Sequence, residues 1–246
     1  MTEPKIYMPE VGRHNTDLDT SVDRLERSKS YRDLSTIIIC PTRGQIPARV
    51  VQSWMGLMRP MNQKVIGPIF AIGMEVGQAY SMLIEQILAN PELSTYKYIL
   101  TIEEDNMPPG DGLLKLYESM DKYDVVQGLY WTKGEGGQPM VYGNPAIMPK
   151  NFIPQIPLLD QVQPANGLGM GFNLFKLDIF KDPNLPKPWF KTVQEVIPGA
   201  GARAYTQDLY FYEEAAKHGY KFAVDTRVKV GHYDFLGTAG QPDTVW

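Results

Sequence analysis

Apolar residues along this chain occur in two patterns, as short unbroken runs and at helical spacing. Short unbroken apolar runs, such as Ile37-Ile38-Ile39 and Tyr98-Ile99-Leu100, are typical of strands that are buried on both faces of a parallel sheet. Between these runs, apolar residues recur at helical spacing, for example over residues 76–88. Because strands that alternate with helices favour parallel sheets with right-handed crossovers, the first half of the chain predicts an α/β fold.

The predicted elements extend through most of the chain. Strands are expected over residues 35–40, 65–72, 98–102 and 124–130, and helices follow the first three of them, the third covering 112–123. A short strand is expected within 140–148, an irregular segment over 149–164, and a further strand after the glycines at 167–171. A helix over 207–218 and a strand over 221–230 complete the pattern.

Composition limits the class of protein. The chain has 246 residues, of which 43% are hydrophobic and 21% charged, and these are values of an ordinary globular protein. We expect a polar N-terminal arm over residues 1–34 and one domain over 35–246. The single cysteine, Cys40, excludes an intrachain disulfide and favours a reducing compartment. No apolar stretch approaches the roughly 20 residues of a membrane span, so a cytoplasmic protein is expected.

Net charge bears on the partners. The formal net charge of −4 disfavours nucleic acid as a partner, although a local basic groove stays open.

Three acidic residues, Glu103, Glu104 and Asp105, directly follow the apolar run that ends at Ile102. Their mutual repulsion gives folding little reason to place them together, and a divalent cation would offset that repulsion, since Mg²⁺ and Mn²⁺ favour carboxylate oxygen. A solvated acidic turn is the alternative.

Two loops are candidate ligand contacts. Pro41, Thr42 and Arg43 follow the first strand, where open α/β sheets bind ligands, although Arg43 could equally be a solvated loop residue. Gly169, Met170 and Gly171 lie in a glycine-rich segment that a strand follows, which argues against a dinucleotide fingerprint. Glycine there would let the backbone approach a ligand closely.

Three further residues have a functional and a structural interpretation. Trp189 lies in an aromatic loop that could stack on a sugar or plug the core. Asp208 opens a helix, where a carboxylate often serves only as a cap or a dipole partner. His232 follows the last strand, where a structural role is the commoner one.

Taken in order, these pieces resemble the GT-A-fold glycosyltransferases, the nucleotide-sugar-dependent enzymes of the family 2 type. The pieces are Pro-Thr-Arg-Gly, the acidic strand end, Gly-Met-Gly-Phe, Pro-Trp-Phe, Gln-Asp-Leu-Tyr-Phe and the final Val-Gly-His, over roughly residues 35–234. The resemblance implies a single GT-A-like domain with a Rossmann-like, mostly parallel sheet that is flanked by helices.

The resemblance also implies roles for the matching residues. The acidic strand end matches the family's Asp-x-Asp motif, so Mn²⁺ or Mg²⁺ would be bound by Asp105, His232 and Glu103. The donor, a nucleoside-diphosphate sugar, would contact Pro41, Thr42, Arg43, Glu103, Glu104 and Asp105. The acceptor and sugar pocket would be lined by Gly169, Met170, Gly171 and Trp189, and Asp208 would be the base of an inverting enzyme.

The implied activity is metal-dependent transfer of a sugar to a hydroxyl of a glycan or another acceptor. Three departures from the family pattern leave the nucleotide open: Glu103 begins the acidic motif, Tyr80-Ser81 stand where Arg-Asn is common, and Gln207 replaces an acid. A retaining enzyme, a sugar-nucleotide nucleotidyltransferase and a non-catalytic nucleotide-sugar or glycan-binding module are the alternatives.

Overall fold

The computed structural model describes residues 32–134, 136–199, 201–237 and 243–246. The predicted polar arm, residues 1–34, therefore lies almost wholly outside the described residues. Over the described ranges, no helix combines the length and the apolar character that crossing a membrane requires.

The described residues form the following strands and helices. The strands are β1 (Thr36–Thr42), β2 (Val65–Ile72), β3 (Tyr98–Ile102), β4 (Asn106–Met107), β5 (Val125–Leu129), β6 (Val141–Tyr142), β7 (Val162–Ala165), β8 (Gly167–Leu168), β9 (Phe172–Lys176), β10 (Val193–Ile197), β11 (Gly201–Tyr205), β12 (Phe222–Lys229), β13 (Gly231–Asp234) and β14 (Asp243–Val245). The helices are α1 (Ala48–Met55), α2 (Val76–Ala89), α3 (Gly112–Glu118) and α4 (Gln207–Lys217), with 3-10 helices at Leu93–Thr95 and Leu177–Lys181.

A seven-stranded sheet in the order β2-β1-β3-β9-β5-β12-β7 forms the centre of the molecule. The pairs β1–β2, β1–β3 and β5–β12 are parallel, whereas β9 runs antiparallel to β3 and β5, and β7 runs antiparallel to β12. The predicted fold class is therefore confirmed as a single α/β domain with a mostly parallel central sheet between helices.

Alternate residues of β1 point into two separate cores. Ile37 and Ile39 pack with residues of α2 and α4, whereas Ile38 and Cys40 pack with residues of α3. This arrangement explains the unbroken apolar run, because neither face of the strand meets water. Burial also raises the pKa of the Cys40 thiol, so Cys40 is a core residue rather than a nucleophile.

Several predicted boundaries shift. Helix α1 ends before Gly56 and helix α3 ends at Glu118, earlier than predicted, and the strand predicted within 140–148 is reduced to β6. Part of the segment predicted to be irregular, 149–164, forms the edge strand β7, and the hairpin of β10 and β11 was not predicted at all.

A small second sheet joins distant parts of the chain. Strand β13 pairs with β14 and with β4, and within these pairs His232 lies opposite Asn106 and Gly231 lies opposite Met107. Sheet pairing therefore holds the residues that follow β12 beside the residues that follow β3.

Gly128 in β5 tests how closely the central strands are covered. A Cβ at Gly128 would lie 2.7 Å from Val230 Cγ2 and 2.8 Å from Val228 Cγ1, and these stiff β-branched side chains have little room to move. We expect Gly128→Ala to lower the free energy of unfolding by about 1–3 kcal/mol through overpacking. Urea denaturation followed by circular dichroism measures this change.

Gly56→Ala is the matched control. A Cβ at Gly56 would lie 3.4 Å from Ser53 O, which is ordinary contact, and the backbone φ of −81° suits alanine. Equal stability of the two variants would contradict the close packing at Gly128.

Candidate functional site

The carboxyl ends of β1 and β3 lie side by side. Because these strands are parallel and pair as far as Ile39 and Thr101, the loops that follow them meet at one edge of the sheet. A cleft of about 220 Å³ lies there, lined by Pro41, Thr42, Arg43, Met74, Val76, Glu103, Glu104 and Asp105. All six residues that were predicted to contact the donor line this cleft.

Glu104 ties the two loops together. Its Oε2 accepts hydrogen bonds from Thr42 Oγ1 at 2.6 Å and from Arg43 N at 2.8 Å, and its Oε1 forms an ion pair with Arg43 Nε. Both carboxylate oxygens therefore have partners within the protein. Glu104 holds the loop after β1 in place, a role that the sequence pattern did not reveal.

Glu103 is paired with a buried tyrosine of α2. Tyr80 Oη donates to Glu103 Oε1 at 3.1 Å. Burial, together with the charge of Asp105, raises the pKa of Glu103 to about 7. Glu103 therefore takes up a proton more readily than an ordinary glutamate, and protonation weakens its repulsion of Asp105.

Asp105 lies between a histidine and a lysine. His232 Nε2 is 3.6 Å from Asp105 Oδ1, and Lys133 Nζ forms an ion pair with Asp105 Oδ2. Burial opposes ionisation of Asp105, but the interactions with His232 and Lys133 outweigh it, so the pKa of Asp105 is held below its ordinary value. Asp105 therefore keeps its charge at neutral pH.

The imidazole of His232 is oriented by the backbone. Its Nδ1 is 2.7 Å from the carbonyl oxygen of Trp131, and its ring packs edge-on against Tyr130 with 5.5 Å between the centroids. The contact between Nδ1 and the carbonyl oxygen fixes the ring so that Nε2 faces Asp105, and metal-binding histidines are commonly oriented in this way.

The donor set fits a divalent cation only in part. Glu103 is engaged by Tyr80 and Glu104 by Arg43, and among the described residues no group of three or more His, Cys, Asp or Glu side chains is arranged to hold a metal ion. Asp105 and His232 are two suitable donors. Mg²⁺ commonly takes only one or two carboxylates and completes its shell with phosphate oxygens and water, so a cation here would need oxygens of a substrate besides Asp105 and His232.

Asp208 lies in the first turn of α4 and has only 6% of its surface exposed. Its Oδ1 accepts a hydrogen bond from Leu209 N at 2.9 Å, and burial raises the pKa of this carboxyl group above its ordinary value. The helix cap is Thr206 rather than Asp208.

The charge of Asp208 is felt by a residue that lines the cleft. The charge of Asp208 contributes to the raised pKa values of Glu103 and Tyr142. Helices α2 and α4 touch at their N-terminal ends, where a Cβ at Gly77 would lie 3.0 Å from Gln207 Cβ. The structure thus brings the predicted base and the acidic strand end into one region.

The segment Gly169-Met170-Gly171 packs against protein behind the cleft. Gly171 N donates to Tyr130 Oη at 2.9 Å, and a Cβ at Gly169 would overlap the same hydroxyl oxygen. Thr101 Oγ1 donates to Met170 O at 2.8 Å, and the Met170 side chain is buried. The missing side chain of Gly169 therefore lets the backbone approach Tyr130, and that of Gly171 lets it approach Asn106, where a Cβ would lie 2.6 Å from Oδ1.

Trp189 also departs from its expected place. Its side chain has 1% of its surface exposed and meets the ring of Phe180 edge-on at 5.4 Å between centroids. It belongs to a buried aromatic cluster with Phe175, Phe180, Phe190 and Phe211. Of the two interpretations of Trp189, this position agrees with the one in which the ring fills the core, because a buried ring offers no face for a sugar.

Two residues of the site were not among the predicted site residues. Tyr80 fits the helical period of α2 and was noted only as standing where Arg-Asn is common in the family, and Lys133 stands in a turn-rich loop where a lysine is normally a solvated charge. Only the fold shows that Tyr80 contacts Glu103 and that Lys133 contacts Asp105.

Comparisons with known proteins reveal similarity of fold. No protein-family model and no curated protein sequence matches the chain. The crystal structure of A197 from STIV is similar, with a TM-score of 0.57 and 18% sequence identity over 86% of this chain and 94% of A197.

S. aureus TarS 1-349 gives a TM-score of 0.43 with 13% identity, and its complex with UDP-GlcNAc gives 0.41 with 12% identity. Each TarS match covers 77% of this chain, and 57% and 55% of the respective TarS chain. At these TM-scores the TarS structures carry no conclusion about this chain, whereas A197 shares its fold along most of its length.

Proposed function

We propose that this protein is a metal-dependent glycosyltransferase that moves a sugar from a nucleoside-diphosphate sugar to an acceptor hydroxyl. The observation that carries the proposal is the position of an ionised Asp105 beside His232 Nε2, in the same region as a buried carboxyl group, Asp208, whose pKa is raised. A cation-binding pair and a candidate base are the two chemical parts that such a transfer needs.

The cleft is the proposed place of the nucleotide. Its volume of about 220 Å³ is below the roughly 300–1,000 Å³ of typical ligand pockets, so it suits only part of a nucleotide sugar. The side chain of Arg43 is 73% exposed although its Nε is held by Glu104, and its remaining N–H groups can meet phosphate oxygens.

The proposed cation, Mn²⁺ or Mg²⁺, would be held by Asp105 and His232 with oxygens of the diphosphate. Glu103 completes the acidic motif from a position where Tyr80 already binds one of its oxygens. When bound, such an ion stabilises the negative charge that develops on the departing nucleoside diphosphate.

Asp208 is the proposed base. An acceptor hydroxyl is a weak nucleophile until its proton is removed, and a carboxylate whose pKa is raised accepts that proton more readily at neutral pH than an ordinary one. Burial raises the pKa of Asp208 in this way. Direct attack by the activated hydroxyl on the donor sugar would give an inverting enzyme.

Asp105→Ala tests the cation-binding pair. We expect the parent protein to be stabilised against heat by UDP or GDP only when Mn²⁺ is present, on the order of 2.7 kcal/mol at a ligand concentration about 100 times Kd. Asp105→Ala should lose this stabilisation because it removes one of the two proposed cation donors and leaves only His232. Thermal denaturation with and without Mn²⁺ and nucleotide measures the effect.

Asp178→Ala is the matched control, because Asp178 is an exposed aspartate that pairs with Lys181 in its own 3-10 helix. If Asp105→Ala gained as much stability from Mn²⁺ and nucleotide as the Asp178→Ala control, Asp105 would have no part in binding the cation.

Asp208→Asn tests the base. Asparagine keeps the size of the side chain and can still accept the hydrogen bond from Leu209 N, but it cannot take up a proton. We expect transfer to fall about 10²- to 10⁴-fold with donor affinity nearly unchanged. Turnover of a nucleotide-sugar panel and donor binding are measured on the same preparation.

Glu214→Gln, on the same helix and paired with Lys217, controls for changes to α4 itself. In the parent protein the rate should rise with pH through the pKa of Asp208, because only the ionised form is a base, and this rise should be absent from Asp208→Asn. Full activity of Asp208→Asn would favour a retaining enzyme, and donor binding without turnover by the parent would favour a binding module.

A further inference from the structure

Lys133, in the segment that follows β5, contacts Asp105, one of the residues that line the cleft. Its Nζ contacts Asp105 Oδ2, while 29% of the lysine side chain and 12% of the aspartate side chain are exposed. The same Nζ lies 5.8 Å from the ring centroid of Phe235, and the guanidinium carbon of Arg43 lies 5.6 Å from the same centroid. The ring of Phe235 is thus near both Lys133 and Arg43.

The two oxygens of Asp105 are divided between different neighbours. Oδ1 faces His232 Nε2 at 3.6 Å, and Oδ2 is taken by Lys133. A cation that bridged Asp105 and His232 would come close to the lysine ammonium in a partly buried site, where like charges repel more strongly than in water. The ammonium and a divalent ion therefore compete for one carboxylate.

The backbone around Lys133 is tied down while the side chain is long. Trp131 forms a bridge with Pro139, and Thr132 N donates to Gln138 O at 2.8 Å. Trp131 also supplies the carbonyl that orients His232. The segment can keep His232 in place while the four-carbon side chain of Lys133 changes rotamer. The ion pair between Lys133 and Asp105 can therefore open without movement of the backbone.

We propose that Lys133 is an internal competitor for the cation site at Asp105. Its ammonium neutralises the carboxylate when no divalent ion is bound, and it leaves Asp105 when an ion binds, with the ring of Phe235 as its neighbouring contact. The proposal rests on the proposed cation-binding role of Asp105 and His232, but it requires neither sugar transfer nor a base.

Direct binding of Mn²⁺ to the protein without nucleotide tests the proposal. Free Mn²⁺ is measured by electron paramagnetic resonance for the parent, Lys133→Met and Lys133→Arg. If the contact to Asp105 is made about nine-tenths of the time, its removal in Lys133→Met should tighten Mn²⁺ binding about tenfold. Lys133→Arg keeps a competing cation and should stay close to the parent.

Two controls locate the effect. Lys181→Met removes a lysine that pairs with Asp178 far along the sequence, and it should leave Mn²⁺ affinity unchanged. In an Asp105→Asn background, the change of Lys133 to Met should no longer tighten binding, because the carboxylate for which the two cations compete is absent.

Unchanged, weaker or undetectable Mn²⁺ binding by Lys133→Met would overturn the proposal, and so would equal tightening in Lys133→Arg or in the Asp105→Asn background. Tightening in Lys133→Met alone supports it. Because the assay contains no sugar donor, a tenfold gain in Mn²⁺ affinity would support the role of Lys133 even if the protein transferred no sugar. Sugar transfer without that gain would contradict the role of Lys133 but not the proposed function.

Discussion

Repulsion among three consecutive carboxyl groups is the constraint on which this edge of the molecule depends. The structure resolves it by giving each group a different kind of partner. Glu103 meets the hydroxyl of Tyr80, Glu104 meets Thr42 and Arg43, and Asp105 lies between Lys133 and His232. The partners come from four separate parts of the chain, so the acidic strand end also organises the loops around it.

These partners give the three acids unequal chemistry. Glu104 is fully engaged by the loop after β1 and keeps that loop in place. Burial raises the pKa of Glu103 to about 7, whereas the interactions of Asp105 keep its pKa low. A single fixed charge therefore faces His232, and neighbouring residues that look alike in sequence differ in what they can bind.

Sequence pattern predicted what local periodicity controls. The apolar runs of β1, β3 and β5 and the helical period of α2 are properties of short segments, and these elements appear where they were expected. Strand β7 was missed because its sequence, with Gln163 and Pro164, has no apolar run and becomes a strand only by pairing with β12.

The same distinction separates the site residues. The approach of Asp105 to His232 follows from the order of strands, which a family resemblance can supply, and the structure brings them together. The burial of Trp189 depends on rings such as Phe180 and Phe211 that meet only in the folded core. The contact of Lys133 with Asp105 depends on how the segment after β5 lies beside the end of β3 in the folded chain, and spacing alone does not encode it.

The distances along the chain between Asp105 and its two cationic partners bear on how the protein folds. Lys133 is 28 positions from Asp105, whereas His232 lies much later in the chain, in β13, which follows β12. Because the entropy cost of closing a loop grows with its length, the lysine can reach the aspartate before the last strands join. The ammonium of Lys133 would then neutralise the Asp105 carboxylate before His232 is in place. The carboxylate would thus have a counter-ion while the later strands join the sheet.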